Sequence, residues 1–303
     1  MLQFQTLSVL AGTAACNARC DFCVSKMTPP QGVEEKRSSG INFSRLNIAC
    51  KLAQRSGVTT ALITGKGEPT LFPDDITHYV GELNRYFPII ELQTNAINFT
   101  RQREKYDELL NEWKIYGLTT IIISVVHYED ARNREIYCDS VAPALGGHKD
   151  RFDYPPLKDT IDYLHSKGFS VRLGCVGTRG YIDSKEELQK MIDFCKENKV
   201  EQLTWRPVTR PVANIQDQGT YDATTKLSID LDRVQEIENW VKMNGTMLLK
   251  LVHGARVFDV QGQNLCLSSC LTHEGEETEQ RQLIYFPDGH IRYSWIYPGA
   301  IIM

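Results

Sequence analysis

Three thiols fall close together in the run Cys16-Asn17-Ala18-Arg19-Cys20-Asp21-Phe22-Cys23. Offsets of C-x3-C-x2-C let one flexible loop turn all three sulfurs towards a single iron–sulfur cubane, a group characteristically held by cysteine thiolates. Three ligands leave one iron of the cubane open to a small molecule that offers an amino and a carboxylate group. Zinc is the alternative. A zinc site ordinarily completes four protein ligands and favours paired C-x2-C knuckles, and the nearest histidine, His78, lies far along the chain in a stretch patterned as helix.

A second run with chemical content is Thr64-Gly65-Lys66-Gly67-Glu68-Pro69-Thr70-Leu71. Its glycines let backbone approach a ligand closely, and a carboxylate with exposed carbonyls at a strand's carboxyl edge can receive an ammonium group. The same residues also suit an ordinary strand-to-helix turn. Farther on, His127-Tyr128-Glu129 offers a general base or a solvated loop, and Arg206 offers a planar fork for a carboxylate or another anion or a rim salt bridge. Cys50, Cys175 and Cys195 sit among apolar neighbours and are expected as small core residues, Cys138 falls in a long loop, and Cys266 with Cys270 reads as a structural pair or a redox-active dithiol.

These residues need a frame, and the chain's patterning supplies one. From Thr6 to about Val208, β-rich apolar runs alternate with amphipathic stretches, the sign of repeated β–α units and a parallel sheet. Strands are expected at Leu7–Ala11, Thr59–Thr64, Ile89–Thr94, Thr119–Val126, Ser170–Val176 and Gln202–Arg206. Helices are expected at Phe43–Ser56, Pro73–Phe87, Arg101–Tyr116, Pro156–Lys167 and Lys185–Asn198, with Gly57, Gly117 and Gly168 as caps. The fold class is therefore α/β, a partial (β/α)6 TIM-like barrel over residues 1–210, followed by an α+β extension or cap over 211–303. A long loop is expected from Tyr128 to Tyr154 and a polar segment from Asn214 to Lys226. Beyond them come a helix at Leu231–Asn244, a strand at Met247–Val252 and a hairpin of Gln282–Phe286 with His290–Trp295. The aromatics Tyr285, Tyr293, Trp295 and Tyr297 of that hairpin are expected to pack against the barrel.

Hydrophobic content of 42%, charged content of 24% and a net charge of −4 are those of an ordinary folded protein, with no basic balance for nucleic acid. No basic leader opens the chain, and its longest apolar run, Leu118 to Val126, falls short of the ~18 residues of a membrane span. A cytoplasmic protein is the expectation, and of its nine cysteines the three that fall within eight residues are expected to bind metal rather than crosslink.

The cysteine loop with Phe22 as its aromatic resembles the C-x3-C-x-aromatic-C signature of the radical S-adenosylmethionine superfamily. The pattern lies closest to the branch of the molybdenum-cofactor GTP cyclase and the peptide-maturing enzymes, without their seven-cysteine C-terminal domain. The resemblance implies a [4Fe–4S] cluster on Cys16, Cys20 and Cys23 and S-adenosyl-L-methionine as cofactor. It likens Gly65, Lys66, Gly67, Glu68 and Pro69 to the GGEP motif, Lys66 standing for the usual second glycine. It matches Thr94-Asn95 to a TN pair, Ser124 to a ribose-contacting serine, Val176 to an adenine-supporting segment, and Arg206 to the corresponding part of strand six. The implied activity is reductive cleavage of the cofactor and hydrogen abstraction from a small molecule, nucleotide or short peptide, fed by an electron donor such as flavodoxin or ferredoxin. A non-catalytic iron–sulfur or zinc protein and a glycyl-radical activase are the alternatives.

Overall fold

A computed structural model describes residues 3–28, 32–33, 40–138, 154–211, 218–251, 254–268 and 279–303. The six expected strands form, as β1 (Gln3–Leu10), β2 (Thr60–Thr64), β3 (Ile89–Thr94), β4 (Thr120–Val125), β5 (Ser170–Gly177) and β6 (Gln202–Pro207). They lie side by side in chain order, all parallel, each joined to the next by the long crossover that parallel pairing needs. The crossovers carry α1 (Val24–Met27), α2 (Phe43–Arg55), α3 (Pro73–Leu83), α4 (Ile97–Arg101), α5 (Arg103–Tyr116), α6 (Asp130–Tyr137), α7 (Leu157–Ser166) and α8 (Lys185–Glu197). The helix expected at Arg101–Tyr116 forms as α5, and an unexpected short helix, α4, precedes it, the two parted at Gln102, whose backbone is non-helical. The span expected as a loop from Tyr128 contains α6, and the rest of it, 139–153, lies outside the described residues.

Strand alternation divides the sheet into two faces. Ala61, Ile63, Leu92, Ile121, Ile123, Leu173, Cys175, Leu203 and Trp205 are buried in one continuous core with the helices. The opposite face carries Thr64, Gln93, Ser124, Val176 and Arg206, each half-buried, beside the buried Ser8 and Glu91. Cys50 and Cys195 join the same core, as expected of small hydrophobes. The sheet must curve: β1 and β6 would stand about 24 Å apart across a flat sheet at ~4.8 Å per strand, yet Met27, in the first connection, lies 3.6 Å (Sδ) from the Thr224 hydroxyl beyond β6. The half-exposed face is thus the lumen of a partial barrel.

After β6 follow α9 (Gln218–Leu227), α10 (Leu231–Asn244), β7 (Thr246–Lys250), β8 (Arg256–Val260), β9 (Gln263–Leu267), β10 (Glu279–Tyr285) and β11 (Ile291–Arg292). Their strands continue the same sheet at both edges, giving the order β11-β10-β1-β2-β3-β4-β5-β6-β9-β8-β7. The hairpin read around Pro287-Asp288-Gly289 forms, with Tyr285 opposite Ile291, and its first strand pairs in parallel with β1. Tyr285 is fully buried and Trp295 packs on Phe286, whereas Tyr293 and Tyr297 stay exposed. Among the described residues no helix is long and apolar enough to cross a membrane.

Candidate active site

The cysteine loop leaves β1 and is tied down on three sides. The backbone N–H of Gly12 donates to Asp75 Oδ2 at 2.8 Å, the first turn of α3, and that of Arg19 to the Tyr137 carbonyl at the end of α6, 3.0 Å. The third tie is to the turn after β2, where the Glu68 N–H donates to the Ala15 carbonyl at 2.9 Å. Only glycine fits beside that bond. A Cβ on Gly67 would stand 1.9 Å from the Ala15 carbonyl oxygen, and backbone cannot swing aside as a flexible side chain can. Ala18, Cys20 and Phe22 pack against Ile97, Val126, Ile136 and Tyr137, so the aromatic of the motif is an apolar anchor for the loop.

A buried polar network ties the loop to the ends of β2 and β3. Asn17, between the first two cysteines, accepts from Asn95 Nδ2 at 2.7 Å and donates to Asn98 Oδ1 at 3.0 Å, while Asn98 Nδ2 donates to the Thr70 hydroxyl at 3.1 Å. Glu68, 3% exposed, accepts from Thr70 N at 3.0 Å and Thr70 Oγ1 at 2.7 Å on one oxygen. The same oxygen accepts from Thr94 Oγ1 at 2.5 Å, and the other from Asn95 N at 2.9 Å. Burial raises the Glu68 pKa above the ordinary carboxyl value, and these donors partly oppose the rise. None of the four donors is a cation, so the site favours a positive ligand nearby.

The Cys16 and Cys20 thiols both feel the sulfur of Cys23. Cys16 keeps solvent access, yet desolvation pushes its thiol up to about 12, helped by Glu68 and Cys23. Cys20 is raised well above the thiol range by burial and then by Cys23 and Cys16. Lys26, whose Nζ donates to the Cys20 carbonyl at 3.2 Å, draws both down. Among the described residues no three His, Cys, Asp or Glu side chains could share a single metal ion.

Of the other residues singled out in the sequence, Lys66 is buried and its Nζ reaches the Thr28 hydroxyl just after α1 at 3.2 Å. Gly65 and Pro69 complete the same turn, a Cβ on Gly65 meeting the Pro69 ring at 3.4 Å. Ser124 lies on the lumen face within 3.5 Å of Gln93 Nε2, and Val176 and Arg206 are register partners at the carboxyl ends of β5 and β6. His127 is not solvated. It is 5% exposed, lies against the tilted Tyr128 ring with centroids 4.2 Å apart, and its Nδ1 accepts from Glu129 N at 3.0 Å, which holds the tautomer with the proton on Nε2. Burial lowers its pKa. Cys175 faces the helices and not the lumen. Cys266, buried on β9, stands opposite Thr204 in register, and Cys270 lies outside the described residues. Asn17, Thr70, Asn98, Tyr137 and Thr178 have no role of their own in the sequence reading. Asn17 and Thr70 carry a signal in their places inside the two motif runs, and Thr178 in the segment that continues β5. Two surface hollows of about 430 and 310 Å³ open at the opposite ends of the strands, around Lys199, Glu201 and Asn264 and around Lys158 and His165, away from these thiols.

An open α/β barrel that mounts a three-cysteine loop and a Gly-Glu-Pro turn on the carboxyl edge of its first two strands has its chemistry where such sheets place it. The family model for the radical SAM superfamily matches residues 10–195, and the chain belongs to that superfamily. It is 25% identical over 196 residues to the GTP 3',8-cyclase of Staphylococcus carnosus (strain TM300), a match covering 63% of this chain and 51% of that one. The cyclase of Staphylococcus aureus (strain JH9) is 26% identical over the same shares. The chain thus spans about half the length of the curated relatives it matches. Its fold is similar to that of Streptococcus suis SuiB bound to S-adenosylmethionine, with a TM-score of 0.57 and 16% identity over 96% of this chain and 60% of that one. A radical SAM methyltransferase from Sphaerobacter thermophilus follows with a TM-score of 0.52 and 14% identity over 86% and 66%.

Membership implies a [4Fe–4S] cluster and S-adenosylmethionine. The donors present suit such a cluster. Burial and the neighbouring sulfurs push the Cys16 and Cys20 thiols up, so holding these two as thiolates needs a strongly positive centre beside them, which cluster iron would supply.

Proposed function

We propose that Cys16, Cys20 and Cys23 hold a [4Fe–4S] cluster and that the chain uses it to cleave S-adenosyl-L-methionine and abstract hydrogen from a substrate. When bound, the cluster supplies one electron to the sulfonium of the cofactor, which yields methionine and a 5'-deoxyadenosyl radical. The protein's own work is placement. The Gly65-Lys66-Gly67-Glu68-Pro69 turn keeps the cysteine loop seated through the Ala15 contact, as Asn95 does through Asn17, and brings a buried carboxylate to the side where the cofactor's ammonium would lie. Asn95 extends that wall. Ser124 and Val176, on the lumen face of β4 and β5, are the proposed ribose and adenine contacts, and Arg206 is the proposed anchor for an anion at the same mouth. The half-buried lumen behind them would keep the radical from bulk water.

The observation that carries this reading is the bond from Glu68 N to the Ala15 carbonyl, which joins the two motifs of the family into one site. The substrate would be a small molecule or short peptide, and the electron donor a flavodoxin or ferredoxin. The sequence relatives are named GTP 3',8-cyclases, and SuiB was captured with its precursor peptide SuiA, so both a nucleotide and a peptide belong in the screen. Anaerobic reconstitution tests the reading. It expects a brown protein that forms 5'-deoxyadenosine only with dithionite, and loss of both properties when the three cysteines are replaced by alanine. A colourless zinc protein, or adenosyl cleavage that survives the triple substitution, would overturn it.

A further inference from the structure

At the β5–β6 side of the mouth two buried polar groups have no partner. Arg206 is half-buried, and its Nε is shut off from solvent with no acceptor, while Thr178 is fully buried with its hydroxyl oxygen unbonded. They belong together. Arg206 is the register partner of Val176, and Thr178 follows directly on β5. Gly177 faces the helix side, since a Cβ there would stand 2.5 Å from Trp205 Nε1, so strand alternation returns Thr178 to the lumen face that Arg206 occupies.

The acids of this rim are already engaged. Asp230 holds Arg179 at 2.8 Å, Asp183 takes Arg233 at 3.2 Å and the Gly180 N–H at 2.7 Å, and Glu91, deeper in the lumen, is paired with Arg172. A guanidinium is charged at every working pH, so it cannot relieve its isolation by losing a proton as a lysine can. A fixed charge and a hydroxyl left without partners side by side on one rim call for a ligand that brings the acceptors.

We infer that Arg206 and Thr178 form an oxyanion subsite, in which the guanidinium fork and the hydroxyl grip a carboxylate or phosphate on the substrate. A carboxylate or phosphate offers two oxygens to the fork and a further lone pair or oxygen to the hydroxyl, a bidentate geometry for which arginine surpasses lysine. Substrate is the favoured source because the cofactor's ammonium is assigned to the Glu68 side, at the ends of β2 and β3, whereas Arg206 lies on β6. The word substrate rests on the radical SAM reading, but the subsite does not.

The test uses the reconstituted protein, with Arg206→Met, Arg206→Lys and Thr178→Val, and follows thermal unfolding by circular dichroism. The probes are sodium phosphate and sodium acetate against chloride at matched ionic strength, and equilibrium dialysis measures S-adenosylmethionine binding. At least one oxyanion is expected to raise the wild-type melting temperature, with the rise lost in Arg206→Met and reduced in Arg206→Lys and Thr178→Val. Without oxyanion, Arg206→Met is expected to melt no lower than wild type, because it removes an unpaired charge. Cofactor affinity is expected to stay within about twofold. A loss of about tenfold, the size of one charge-assisted hydrogen bond, would assign the oxyanion to the cofactor's own carboxylate and overturn the substrate assignment. Equal oxyanion protection of wild type and Arg206→Met, or none in either, would overturn the subsite. Failure to take up iron while the Arg206-dependent protection persists would sink the radical SAM reading alone.

Discussion

At the ends of β1 to β3, Asn17, Glu68, Thr70, Thr94, Asn95 and Asn98 bond one another across three loops. At the ends of β5 and β6, Thr178 and Arg206 keep buried polar atoms with no bond at all. The first rim is a satisfied network, which fixes geometry before any ligand arrives and is costly to break at any member. The second holds its unmet bonds in reserve, at a cost in stability that a ligand would offset. One side of the mouth is thus scaffold and the other is receptor, although both lie on the same edge of the same sheet.

The largest effect should come from closing the gap that seats the cysteine loop. Gly67→Ala drives a Cβ into the Ala15 backbone, and we expect a loss of about 3 kcal/mol or more together with failure to retain iron, read by urea unfolding and iron analysis. An alanine variant that assembled a normal cluster would show that the two motifs are not held in contact. Next, Glu68→Ala leaves the Thr70, Thr94 and Asn95 donors facing an apolar void and should cost roughly 2–3 kcal/mol. Asn17→Ala, farther out in the network, should cost about 1 kcal/mol with a larger fall in cluster retention than in unfolding free energy. If the first rim were no more connected than the second, those two values would match those of surface substitutions.

Acidity probes the same contrast. The Glu68 pKa is raised in the fold, so the native state holds its proton to higher pH than the unfolded chain does. Stability from this group is therefore present below the ordinary carboxyl pKa and is lost as pH rises through the folded value. Apoprotein carrying Glu68→Gln should lack that decline, as urea midpoints taken across the acid range would reveal. The smallest effect concerns Lys26, which contacts the loop through the Cys20 carbonyl. A nearby cation favours the reduced cluster, so Lys26→Gln should lower the midpoint potential by less than the ~59 mV of a tenfold one-electron change, measured by potentiometric titration with magnetic resonance detection.

How legible the molecule was depended on where each signal sat. The six parallel strands came through because their apolar runs are local and strong, and Ile89–Thr94 matches its expected bounds. Four helices did not: the short α1 and α4, of four and five residues, and the longer α6 and α9. The buried face of α6 is Asn133, Ile136 and Tyr137, and that of α9 is Thr220 and Thr224, so neither shows the apolar period that marks a helix. Asn133 is buried because it binds the backbone of Val126 and His127, a reason no periodicity reveals. The strands β8 and β9 went unread in a stretch split by the Gln261-Gly262 turn. The parallel pairing of β10 with β1 joins chain segments more than 270 residues apart, with Gln3 opposite Glu279.

Chemistry confined to one loop was fixed by the chain alone: the spacing of Cys16, Cys20 and Cys23, the Gly67-Glu68-Pro69 turn, and the α/β alternation that delivers both to strand ends. Those features depend on neighbours in sequence, whose separation the backbone sets. Only the tertiary structure decided that Asn17 would meet Asn95 and Asn98, that Gly67 would lie against Ala15, that His127 would be buried, and that Arg206 would keep a shielded nitrogen without a counter-charge. Each of those outcomes rests on which distant groups arrive within bonding distance and which do not, and residue type carries no record of that.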